Sequence, residues 1–150
     1  MPTIAASHLY TFAALIAVSS LLTTSFMVYA NTIREASEAT RLEDLMNLVA
    51  SESLRLLTLT LSTNASTETF MQLPPRIGDK YYWLKLENDS SKAWLEGGFG
   101  NNPNTMGKLR ISLPKNVLAN GSYISGYGAA RLRCFLDFGF VQIQLSSEGG

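Results

Sequence analysis

The sequence predicts an α+β protein, with a long N-terminal transmembrane and amphipathic helix followed by an antiparallel, β-sandwich-like head. Three observations carry this. No Asp, Glu, Lys or Arg occurs before Arg34. No Pro or Gly interrupts the chain from Asn31 to Ser62, where Leu, Met, Ala, Glu and Arg dominate. From Phe70 onward, apolar residues fall into short alternating runs separated by turn residues. The domain division that follows is 1–62 for the helix and 63–150 for the head, with 4–30 as the membrane part and 31–62 as an amphipathic extension.

The stretch from Ile4 to Ala30 is uncharged. At about 1.5 Å per residue it spans roughly 40 Å, more than the ~30 Å hydrocarbon core of a bilayer, and tilt absorbs the surplus. Ser and Thr at 7, 11, 19, 20, 23, 24 and 25 lower its hydrophobicity, yet each hydroxyl is able to bond back to the preceding turn. His8, the only histidine, stands near the amino end. Ala13 with Ala17, and Ser20 with Thr24, are small residues four apart, the spacing that lets membrane helices approach closely. Val28-Tyr29-Ala30 fits a small-x-small cleavage rule. A removable leader, however, needs a basic start and an apolar core of about 7–15 residues. Neither is present, so a retained anchor is expected. A buried soluble helix is the weakest reading, since a helix apolar on every side needs a larger protein around it.

Beyond the anchor, Ile33, Leu42, Leu45, Val49, Leu56 and Leu59 recur at threes and fours or their sums, which makes one apolar stripe. Glu38 is placed to pair with Arg34 and Arg41 on the opposite side. The stripe suits packing on the chain's own head, and also sharing with neighbouring chains.

Ser62 to Thr67 reads as a neck, and Pro74-Pro75 forbids helix after Leu73. Tyr82, Leu84 and Leu86 share one face of a strand that turns through Asn88-Asp89-Ser90-Ser91 into Lys92–Glu96. Gly97 to Gly107 reads as a loop. Lys108–Leu113 alternates cleanly, with Leu109, Ile111 and Leu113 inward and Lys108, Arg110 and Ser112 outward. Asn120-Gly121 reads as a turn ahead of Ser122–Tyr127. Arg131–Leu136 and Phe140–Leu145 flank a hairpin turn at Asp137-Phe138-Gly139, with Leu132, Cys134, Leu136, Val141, Ile143 and Leu145 inward. Six or seven strands joined by short turns imply an antiparallel sheet or sandwich.

Chemistry is sparse. Twelve basic and twelve acidic residues balance, which argues against a nucleic-acid partner. One cysteine, Cys134, allows no internal disulfide and reads as a buried thiol. With a single histidine at the membrane edge there is no His/Cys metal set and no nucleophile–base pair, so no catalytic residue, metal ligand or cofactor is expected. Glu87, Glu96 and Asp137 read as solvated strand faces. Arg131 and Arg133 share an outward face that suits an anionic sugar or headgroup. Asn64-Ala65-Ser66, Asn88-Asp89-Ser90 and Asn120-Gly121-Ser122 satisfy the N-glycosylation pattern. Three such sites after the membrane segment, each read into a neck or turn, favour an extracytoplasmic head.

An uncharged amino-terminal helix, its amphipathic extension and a β-rich head together resemble the archaeal type IV pilin and archaellin superfamily. The head opens on Leu73-Pro74-Pro75-Arg76-Ile77-Gly78 followed by Tyr82-Trp83-Leu84. This is similar to the Leu-Pro-x-x-Ile-Gly and Tyr-x-Leu pattern of small archaeal membrane-anchored surface proteins of that type. Members of the superfamily carry a basic residue and glycine before the apolar helix; Met1-Pro2-Thr3 has neither. The resemblance implies a non-enzymatic, single-pass surface protein whose helix meets membrane lipid, copies of itself or other pilin-like subunits. A membrane-tethered β-domain holding S-layer, surface glycans or archaellum components is the alternative.

Overall fold

The computed structural model describes residues 2–107 and 109–149. One α-helix, α1, runs from Pro2 to Thr63. Among the described residues seven strands follow: β1 (Thr67–Met71), β2 (Tyr82–Asn88), β3 (Ala93–Phe99), β4 (Leu109–Ser112), β5 (Val117–Ile124), β6 (Ala130–Asp137) and β7 (Phe140–Ser147). The chain divides into two compact units, 1–37 and 38–150. The first is helix alone. The second, the head, holds the rest of α1 and all seven strands.

The helix-then-β architecture read from the sequence is the one observed. The strands form one sheet in the order β1-β6-β7-β5-β2-β3-β4. All neighbours are antiparallel except β5 and β7, which run parallel. A second sheet is unnecessary, because α1 covers the inner face. Glu38, Leu42, Met46, Val49, Ser53, Leu56 and Thr60 are buried at spacings of four or three. The inner strand positions Tyr82, Leu84, Leu86, Leu95, Leu132, Cys134, Ile143 and Leu145 complete the core.

The apolar stripe read from the sequence holds at Leu42, Val49 and Leu56 and shifts at its other positions. Ile33 and Leu59 are exposed, Leu45 is half-buried, and Met46, Ser53 and Thr60 take inward positions. Glu38 faces inward too, only 6% exposed, and its carboxylate meets Lys80 Nζ at 2.7 Å rather than Arg34 or Arg41. A side chain on Gly78 would begin 2.6 Å from Glu38 Oε1, so glycine at φ +62° lets the strand connection close over this pair. At its far end the helix is held by Thr60 Oγ1 against Thr67 Oγ1 at 2.7 Å. Asn64, at φ +54°, ends the helix by donating its N–H to Thr60 O at 2.9 Å.

Two strand assignments and two burial assignments change. Gly97, Gly98 and Phe99 belong to β3 rather than to a loop. They pair with Leu84, Trp83 and Tyr82, and Gly97 is needed there because an added Cβ would sit 2.6 Å from Met46 Sδ. Asn120-Gly121 lies inside β5 rather than in a turn. Leu136 is 37% exposed, since β6 by then has run past the end of α1. Ile111 is half-buried because β4 is an edge strand, while Arg110 is exposed as expected. Lys108 lies outside the described residues.

Two buried phenols tie the core to its turns. Tyr82 Oη donates to Pro74 O at 2.6 Å, and Tyr123 Oη donates to Gly128 O at 3.1 Å. Burial raises both pKa values above the usual 10.0, and for Tyr82 the neighbouring Tyr123 adds to the effect. A phenol whose folded pKa is raised contributes fully below its unfolded value and loses that contribution as pH climbs through the folded one. The head is thus expected to lose stability from about pH 10 upward. Tyrosinate absorbance at Tyr82 and Tyr123 should rise together with unfolding rather than before it; a simple titration of a folded head would contradict this.

Candidate functional site: the uncovered helix

Every residue from Thr3 to Ser37 is exposed, including Leu9, Phe12, Leu15, Ile16, Leu21 and Phe26. These residues span about 50 Å of α1. It is the one described helix long and apolar enough to cross a membrane. The physical problem such a surface poses in hydrocarbon is its hydroxyls, and the helix answers it locally. Thr11, Thr23, Thr24, Ser25 and Thr32 each donate to the carbonyl four residues earlier, at 2.8–3.0 Å. No donor among these five is left for a bilayer to strand.

Ala13, Ala17, Ser20 and Thr24 all lie on this uncovered surface. Ser20 and Thr24, with Ser19 and Thr23, form a shallow groove bounded by Phe12, Leu15 and Ile16. Thr24 directs its proton to Ser20 O, so its oxygen remains able to accept from a neighbouring helix.

In the head, Asn64, Asn88 and Asn120 are all exposed. Asn64 is exposed at the helix end, with its N–H on Thr60 O. Asn88 Oδ1 accepts from Ala119 N at 3.3 Å, extending the β2–β5 ladder by one side chain. Asn120 projects from the middle of a strand rather than from a turn.

The remaining polar candidates are mostly neutralised. Arg131 is bonded to Glu68 Oε2 at 2.6 and 3.1 Å, and Arg133 lies 5.3 Å from the Phe135 ring centre. Glu96 is buried rather than solvated, 4% exposed, accepting from Gly107 N and facing Arg110 at 3.6 Å. Glu87 pairs with Lys85, and Asp137 stands apart at the β6–β7 tip. Cys134 is buried, and burial pushes its thiol pKa up, which keeps it protonated. Among the described residues no three His, Cys, Asp or Glu side chains converge on a metal-sized site.

One surface feature lies outside the sequence expectations. Leu136, Phe138 and Phe140 are exposed together at the β6–β7 hairpin, with Phe138 97% exposed. Alternation places Leu136 inward, and a hairpin turn at Asp137-Phe138-Gly139 says nothing of what Phe138 touches. No family model, curated protein or solved structure matches the chain.

Proposed function

We propose that this is a non-enzymatic structural protein of the cell surface, a pilin-like subunit or accessory component of an archaeal type IV filament. Its helix up to about residue 30 occupies membrane or filament core, and the head is displayed outside the cytoplasm. One observation carries the reading: from Glu38 to Thr60 the helix buries one face in the head, whereas every residue from Thr3 to Ser37 is exposed. An apolar helix uncovered on all sides is stable only in lipid or among other helices. The exposed asparagines of three glycosylation patterns support the outside placement of the head.

The test is crosslinking in native membranes, with and without Ala13→Leu plus Ala17→Leu. Leucine is at least as apolar as alanine, so anchoring persists, while its bulk blocks close helix approach. The expected result is loss of the crosslinked ladder with the head still folded. An unchanged ladder removes this face from the assembly. Protease added to intact cells should also remove the head; cleavage only after lysis reverses the orientation.

A further inference from the structure

We propose that the head carries a knob and a socket for a second copy of this chain: the Asp137-Phe138 tip of one copy seats in the groove between Leu48 and Ile77 of the next. This rests on the reading of the chain as an assembling subunit, and identifies a head contact for it.

The knob is a residue that its own chain gives no reason to keep. Phe138 and Gly139, at φ +49° and +85°, are both left-handed, as a two-residue type I′ turn requires. Asn, Asp or Gly fit the first position; a bulky side chain there is strained. The ring recovers nothing, because it is 97% exposed. Phe140, beside it, is exposed as well. An aromatic placed at a strained and solvated position marks a contact with something outside the chain.

The socket lies on the head, where Leu45, Leu48, Pro74 and Ile77 line an apolar groove of about 500 Å³. Ample room for a phenyl ring follows, since pockets for drug-sized ligands start at about 300 Å³. Its rim carries Arg41, Arg76 and Asp44. Two guanidinium groups against one carboxylate leave the rim net positive, and the residue that accompanies Phe138 into it is the acid Asp137.

Position favours a second copy over a local closure. The β6–β7 tip extends past the Thr60 end of the helix, where Thr60 and Thr67 touch and Thr67 pairs with Cys134. The groove flanks helix residues 41–48. Asp44 and Thr60 are about 24 Å apart along the axis at 1.5 Å per residue. Knob and socket thus occupy different ends of one head, and neither reaches the other within a chain. Joining the end of one copy to the opposite end of another is a heterologous contact, which leaves one knob and one socket free and so adds further copies, into a ring or an open filament.

Two measurements on the full chain decide it. Benzoylphenylalanine is placed at position 138, and the chain is irradiated in its native membrane or filament. The expected adduct maps to a peptide of a second copy containing Leu45–Leu48 or Pro74–Ile77; an adduct with lipid or another protein overturns the proposal. In detergent micelles, Phe138→Asn and Leu48→Asp should each weaken association roughly thirtyfold, the size of a hot-spot loss. Asn suits the turn, so Phe138→Asn should melt no lower than the parent. Mixing the two variants leaves one intact knob and one intact socket, and should restore heterodimers without longer oligomers. No recovery from two folded variants overturns the contact. A chain that stays monomeric in lipid at every concentration overturns the assembly reading as a whole, whereas one that assembles with its adduct elsewhere overturns only the knob and socket.

Discussion

Gly121→Val is expected to destabilise the head by about 4 kcal/mol or more, enough to abolish folding of a marginally stable domain. The reason lies in how β5 is shared. Its first half, Val117 to Gly121, pairs in parallel with β7; its second half, Ser122 to Ile124, pairs antiparallel with β2. The strand changes partners at Gly121, and it does so at φ +100°. A Cβ there would lie 2.0 Å from Leu145 O, a backbone atom in the neighbouring strand. A side-chain neighbour can rotate away, but a paired carbonyl cannot move without breaking the ladder. Backbone strain of about 1–3 kcal/mol adds to the clash. Gly139→Ala is the matched control: it also has positive φ, but nothing lies within 4 Å of an added Cβ. Its cost should stay near the strain alone. Equal melting temperatures for the two variants would show that the approach of β5 to β7 is looser than described.

Leu132→Ala should cost about 2–5 kcal/mol and Arg133→Ala within about 0.5, read from chemical denaturation of the full chain in detergent. Leu132 is fully buried on β6, between β1 and β7 and facing the core. Its truncation removes apolar contact and leaves a cavity that flanking strands cannot fill. Arg133, one residue on, is exposed on the other face, with the Phe135 ring as its contact. The expected ratio reports the register, because a slip of one residue exchanges the two environments. Ile111→Ala belongs with neither extreme. On edge strand β4 it is half-buried, and a cost of about 1 kcal/mol is expected.

The hairpin at Asp137-Phe138-Gly139 shows where local chemistry is legible and where it stops. Its position follows from two alternating runs separated by Gly, and the strands on either side pair from Asp137↔Phe140 to Ala130↔Ser147. Nothing local says that Phe138 stays exposed. Alternation gives a residue a side of the sheet, and only the length of α1 says whether that side is covered. Leu136 sits on the inward side but beyond the helix end, so it remains in water.

Sequence by itself determined the uncharged helix, its unbroken continuation, the change to β grammar near residue 70, the inward sets of β2 and β7, and that of β6 as far as Cys134. Each of these follows from composition or from a period of 2 or 3.6 within one segment. Tertiary structure alone decided that Glu38 turns inward to Lys80, that Gly97 and Asn120-Gly121 lie inside strands, and that one helix serves as the second layer of the head. These outcomes depend on residues distant in sequence: Met46 pressed against Gly97, Gly78 closing over Glu38, and Leu145 O against Gly121. A charge spaced for an i,i+4 pair and a glycine spaced for a turn are strong local signals. They yield wherever the approach of a second element makes burial, or the absence of a Cβ, worth more than the local preference.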